Sequence, residues 1–82
     1  MFYLKFTKLA FKNLTKLDPE TGIAILSAIS KLTHHPQDVG KPLTGELKGK
    51  FRLRVGDYRV IYEILNDQVI ILQMGHRREI YG

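Results

Sequence analysis

The stretch FRLRVGDYRVIYEI, residues 51–64, constrains the fold more than any other part of the chain. Phe51, Leu53 and Val55 alternate with Arg52 and Arg54, and Tyr58, Val60, Tyr62 and Ile64 alternate with Arg59, Ile61 and Glu63. Gly56-Asp57 lies between the two runs as a two-residue turn, so the segment is predicted to be an antiparallel hairpin. Loop length then sets the register: Val55 faces Tyr58, Arg54 faces Arg59 and Leu53 faces Val60. The apolar residues fall on one face and all three arginines on the other. Directly opposed like charges work against pairing by roughly 1 kcal/mol when exposed, and by more when shielded from water. One arginine at such a place reads as a solubilising charge on a sheet edge. Three together, followed by Arg77 and Arg78 a strand later, read as a face that binds anions.

The remaining elements follow from periodicity. Phe2, Leu4 and Phe6 alternate with Tyr3 and Lys5, which predicts a strand. From about Thr7 the period changes: Ala10, Leu14 and Leu17 share one side of a helix, and Lys8, Lys12 and Lys16 lie on the opposite, solvated side. Asp18-Pro19-Glu20 starts a second helix, with Asp18 as cap, Pro19 in the first turn and Glu20 at the positive end of the dipole. Its apolar stripe is Ile25, Ala28, Ile29 and Leu32, and it ends near His34-His35-Pro36. So short a link predicts an antiparallel helical hairpin. Adjacent histidines at a helix end point in different directions and have no third ligand nearby in sequence, so no metal site is expected there. Residues 39–49 read as a surface connection, Asn66-Asp67 as a second turn, and residues 68–74 as a central strand, being apolar on both faces. The predicted fold is thus α+β: an N-terminal strand, a helical hairpin and a three-strand antiparallel meander, in a single domain over residues 1–82.

Charge is divided along the chain. The net charge of +5 combines thirteen basic with eight acidic residues; all eight lysines lie between Lys5 and Lys50, and all five arginines follow. Lysine is a hydrated point charge suited to a solvated face, whereas the planar guanidinium suits bidentate capture of phosphate. Without cysteine there is no disulfide framework, thiolate metal site or thiol nucleophile. The N-terminus alternates where a signal peptide needs a continuous apolar run, so a cytoplasmic location is expected.

Beyond the last strand stands GHRREIYG, residues 75–82, with His76, Arg77, Glu79 and Tyr81 in reach of the arginine hairpin. Cleavage of RNA by its own 2'-hydroxyl needs a base for that hydroxyl, an acid for the departing 5'-oxygen, and cations around the phosphorus. These residue types supply all three.

LKGKFRLRVGDYRVIYEI followed by an apolar strand and GHRREIYG resembles the RelE/ParE superfamily of toxins from toxin–antitoxin systems, in its RelE-like branch. The resemblance spans the chain and is most specific between Leu47 and Tyr81. It implies a small sheet packed on a helical hairpin, entry into the ribosomal A site, mRNA cleavage without a metal or other cofactor, and an antitoxin that holds the toxin inactive. It places Arg52 and Arg54 against the scissile phosphate and Arg59 at the transition state. It makes Arg77 a general acid or phosphate ligand, and Tyr81 the residue that positions or deprotonates the 2'-hydroxyl. Lys48, Lys50 and Arg78 then contact mRNA or ribosomal RNA. The chain ends one residue after Tyr81, so the C-terminal helix of some relatives is not expected. His76 stands where the best-known member carries lysine. An unperturbed tyrosine titrates near pH 10 and an unperturbed histidine near 6.5, so the base is left open between Tyr81 and His76, both placed around the 2'-hydroxyl. Two other readings stand beside this one: a ParE-like toxin that binds DNA gyrase and has no active site, and a degenerate partner that only binds nucleic acid or an antitoxin.

Overall fold

A computed structural model describes residues 1–80. Its elements are β1 (Tyr3–Phe6), α1 (Lys8–Thr15), α2 (Pro19–Ser30), α3 (Pro36–Val39), β2 (Lys41–Pro42), β3 (Lys50–Val55), β4 (Tyr58–Leu65) and β5 (Gln68–His76), with short 3-10 turns at Lys31–Thr33 and Gly45–Leu47. The five strands form one sheet in the order β1-β5-β4-β3-β2. β1 runs parallel to β5, and the other neighbours are antiparallel.

Thr7 makes the change from strand to helix. Its hydroxyl accepts from Ala10 N at 3.1 Å, capping α1, and donates to Leu72 O at 2.9 Å, tying the cap to β5. Asp18 caps α2 as expected, its carboxylate accepting from Thr21 N at 3.2 Å, with Pro19 in the first turn. Both helices turn their apolar stripes to one face of the sheet. Ala10, Ile25, Ile29 and Leu32 pack there against Leu53, Val60, Tyr62, Val69, Ile71 and Met74. Burying side chains of this kind stabilises the fold by roughly 1.5–3 kcal/mol each. The lysine stripe Lys8, Lys12 and Lys16 is exposed. No helix of the described residues is long and apolar enough to cross a membrane.

The hairpin has the expected register, with Val55 opposite Tyr58, Arg54 opposite Arg59 and Leu53 opposite Val60. Gly56 takes φ +59 at the first turn position, a conformation that favours glycine. Asn66 turns the next corner at φ 56, which asparagine tolerates better than most residues.

The segment over residues 39–49 is more ordered than a plain surface connection. Within it, Lys41–Pro42 pairs with β3, preceded by the single turn of α3. The cause is Tyr62. Its buried hydroxyl donates to Pro36 O at 2.6 Å and accepts from Gly40 N at 3.0 Å, drawing this stretch onto the sheet. Two paired residues have no periodicity, so hydrophobic patterning does not reveal this strand.

Candidate nucleic-acid interface

Strand alternation builds the arginine face. On β3 and β4, Lys50, Arg52, Arg54, Arg59, Ile61 and Glu63 point away from the helices, because their neighbours Leu53, Val60 and Tyr62 point into the core. β2 adds Lys41 opposite Arg52, and β5 adds Gly75 opposite Arg59. The face therefore carries Lys41, Lys50, Arg52, Arg54 and Arg59 around one carboxylate, Glu63, which stands opposite Lys50.

Arg54 and Arg59 differ in kind although they are paired. Arg54 is exposed, while Arg59 is 9% exposed. The Arg59 side chain folds back on its own turn, its Nη1 donating to Gly56 O at 3.0 Å and Tyr58 O at 2.9 Å. The intervening carbonyl, Asp57 O, accepts from Arg77 N at 2.8 Å. Three successive carbonyls of the turn are thus engaged by Arg59 and by the backbone of Arg77. One short turn ties the arginine face to the segment that follows β5.

That segment is a compact turn. His76 O accepts from Glu79 N at 2.7 Å and Ile80 N at 3.3 Å, the Glu79 carboxylate accepts from His76 N at 3.1 Å, and His76 Nδ1 accepts from Arg78 N at 3.2 Å. Gly75 gives it room: a Cβ at this position would lie 3.3 Å from Glu79 Oε1 and 3.4 Å from Ile80 Cδ1. α1 supports the strand just before the turn, with Asn13 Oδ1 accepting from Met74 N at 3.0 Å.

The structure brings Arg52, Arg54 and Arg59 onto one surface and tethers Arg77 to the turn that links them. Arg77 and Arg78 are exposed. Lys50 lies on the arginine face, and Lys48 is exposed just before β3. His76 is directed elsewhere. It stands opposite Tyr58, and the two rings meet edge to face with centroids 5.5 Å apart, on the side of the sheet away from Arg54 and Arg59. With Nδ1 accepting a backbone hydrogen bond, a neutral His76 presents Nε2–H as a donor. Tyr81 lies outside the described residues. Among the described residues, no group of three His, Cys, Asp or Glu is placed to hold a metal ion.

Sequence reasoning missed Lys41 and Asn13, and it singled out Glu79 without its contact to the His76 backbone. Lys41 joins the face through a strand without periodicity. Asn13 and Glu79 act on β5 backbone from 61 and three residues away, and only the former separation is beyond local reading. Asx and Glu side chains near a strand end are a local signal for such caps.

Residues 4–81 match the family model described as ParE toxin of type II toxin-antitoxin system, parDE. The chain is 40% identical over 83 residues to Toxin RelG of Mycobacterium tuberculosis (strain ATCC 25618 / H37Rv), covering 98% of this chain and 95% of that one. Among solved structures, the toxin–antitoxin complex RelBE2 from Mycobacterium tuberculosis superposes with a TM-score of 0.84 at 39% identity, covering 93% of this chain and 91% of that chain. The RelB–RelE antitoxin–toxin complex from Methanococcus jannaschii gives a TM-score of 0.76 at 25% identity, with 94% of each chain covered.

Proposed function

The chain belongs to the ParE/RelE family of toxins from type II toxin–antitoxin systems, and from that premise we propose that it is a ribosome-dependent endonuclease that cuts mRNA in the A site without a metal. The observation that carries this reading is the opposition of Arg54 and Arg59 on a face shared with Arg52, with Arg77 anchored through Asp57 O to the same turn. A group of guanidinium ions, with that of Arg59 held in place, suits a phosphate that gains negative charge as it is attacked.

In the proposed reaction the RNA 2'-oxygen attacks phosphorus and the bond to the 5'-oxygen breaks, leaving a 2',3'-cyclic phosphate and a free 5'-hydroxyl. Arg52 and Arg54 hold the non-bridging oxygens. Arg59, immobilised by its two carbonyl bonds, stabilises the added charge. Arg77 serves as the acid or a further phosphate ligand. The base is Tyr81 or His76, and the direction of the His76 ring, which meets Tyr58 on the other side of the sheet, favours Tyr81. Lys48, Lys50 and Arg78 contact mRNA or ribosomal RNA. An antitoxin encoded alongside covers the arginine face with acidic residues, and the relatives solved as toxin–antitoxin complexes support that expectation.

Induced expression in a bacterial host tests the reading. It is expected to arrest growth and leave transcripts cut within codons, and Arg54→Ala or Arg77→Ala is expected to restore growth. These two are the informative variants, because Arg54 and the Arg77 side chain are exposed, whereas Arg59 also holds its turn. Arrested cells with intact transcripts would overturn it. A gyrase-directed, non-enzymatic toxin is the second reading, favoured by the ParE description of the matching family model. Inhibition of supercoiling by purified gyrase, with translation unaffected, would establish it instead.

A further inference from the structure

Lys41 reaches the arginine face by a construction of its own. Tyr62 pins the α3 segment at Pro36 O and Gly40 N, and Leu43 N donates to Lys50 O at 2.9 Å. Position 40 has no room for a side chain: a Cβ there would collide with the Tyr62 hydroxyl and lie 2.9 Å from Arg52 O. Between these two pins Lys41 pairs with Arg52 and is itself exposed. A buried tyrosine and an obligatory glycine thus hold a lysine beside an arginine at the sheet edge.

We infer that Lys41 binds a phosphate of single-stranded RNA, and that RNA crossing the arginine face continues over β3 and β2 rather than toward β1. This deepens the endonuclease reading and rests on it. Side chains on one face of a strand repeat every ~6.7 Å and strands lie about 4.8 Å apart, so Lys41, Arg52 and Arg54 form a continuous basic path. In the opposite direction the face is interrupted. Lys5 lies across from Ile70, Ile70 across from Glu63, and Glu63 across from Lys50. RNA running that way would pass over an apolar residue and a carboxylate. Pro42 separates RNA from a peptide partner: it lacks an N–H, so β2 is a poor template for an added protein strand. An edge so blunted offers its side chains, and Lys41 is the charged one.

The test uses a fluorescein-labelled single-stranded RNA with 2'-O-methyl riboses, which cannot be cleaved by their own hydroxyl. Its affinity is measured by anisotropy over a series of KCl concentrations. On single strands each phosphate contact contributes about 0.7 to the slope of log affinity against log salt. Lys41→Gln and Arg54→Gln are each expected to flatten the slope by about that amount, and Lys5→Gln to leave it unchanged. A flattened slope for Arg54→Gln with none for Lys41→Gln overturns this inference and leaves the endonuclease reading standing. No change for either overturns both. A polyglutamate peptide is titrated in parallel; if Lys41→Gln weakens that peptide and not the RNA, the residue serves an acidic protein and the inference fails.

Discussion

Replacing Arg54 by glutamine is expected to make the free protein more stable and less toxic. Arg54 and Arg59 are directly paired, and Arg59 cannot swing away without surrendering its bonds to Gly56 O and Tyr58 O. Side chains directly opposite on an antiparallel pair have Cβ atoms about 5 Å apart, and unit charges at about that distance repel by about 0.8 kcal/mol at water-like dielectric and about 3.3 kcal/mol at an effective dielectric of 20. Arg54 is exposed and Arg59 is nearly buried, so the pair lies toward the weaker limit, at about 1 kcal/mol. Glutamine keeps most of the aliphatic stem and removes the charge. For a domain of this size 1 kcal/mol corresponds to a rise of about 4–8 °C in melting temperature. Screening supplies the internal control. At 1 M salt the Debye length falls to about 3 Å, and the advantage of the variant should disappear. Differential scanning calorimetry at low and high salt, alongside a ribosome-programmed cleavage assay, reads both effects. A variant no more stable than its parent at low salt would refute the repulsion argument. A stabilised variant that still cleaves at the parental rate would refute the assignment of Arg54 to the phosphate.

Further outcomes follow from other contacts. Tyr62→Phe leaves Pro36 O and Gly40 N without their partner and is expected to destabilise by about 1–3 kcal/mol in urea titration. Gly40→Ala is expected to cost a similar amount, about 1–3 kcal/mol, through overpacking against Tyr62 and Arg52 O. Burial pushes the Tyr62 phenol above its ordinary value, partly offset by the Gly40 N–H. The neutral form is therefore favoured in the fold, so its contribution is full below about pH 10 and is lost as pH rises through the folded value. Parent but not Tyr62→Phe should show that alkaline loss. Hydrogen bonding to Thr21 holds the Asp18 carboxyl below the usual carboxylate range, so its contribution to the cap is present at neutral pH and is lost as pH falls through that lowered value; Asp18→Ala should flatten the acid limb of a stability profile. A stoichiometric complex with the cognate antitoxin should melt well above the free chain, and equal melting temperatures would argue against acidic cover of the arginine face.

The parts of this fold that could be read from sequence are those whose signal is local. Hairpin register follows from a two-residue turn, and the two helix starts from Thr7 or Asp18 beside an apolar stripe. The parallel pairing of β1 with β5 joins residues some 65 positions apart, and no local pattern specifies it. β2 was hidden for a related reason: it exists because a tyrosine hydroxyl twenty-two residues away binds Gly40 N. The site divides in the same way. Arg52, Arg54 and Arg59 share a face because strands alternate, which sequence states directly. The direction of His76 depends on its being paired with Tyr58, and that register is shifted by the irregularity near Ile61 and Tyr62, where Leu72 is the extra residue on β5. A one-residue shift of this kind exchanges the faces of every side chain beyond it.

Under the proposed reaction, Arg59 carries two demands. Catalysis by fixed charge requires cations that do not reorganise when negative charge develops, and a surface arginine is ordinarily free to move. Here the guanidinium is anchored through Nη1 to Gly56 O and Tyr58 O, and the Asp57 carbonyl between them anchors the backbone of Arg77. The turn that brings Arg54 and Arg59 into repulsive register therefore also keeps one of them rigid. It holds the following arginine at the same end of the sheet. Arg59→Lys separates these demands, since lysine keeps the charge but has a single ammonium in place of the fork. It is expected to lower the cleavage rate at saturating ribosomes while RNA affinity at low salt changes little. If affinity and rate fell in the same proportion, Arg59 would act by uniform binding, and rigidity of the guanidinium would have no part in the reaction.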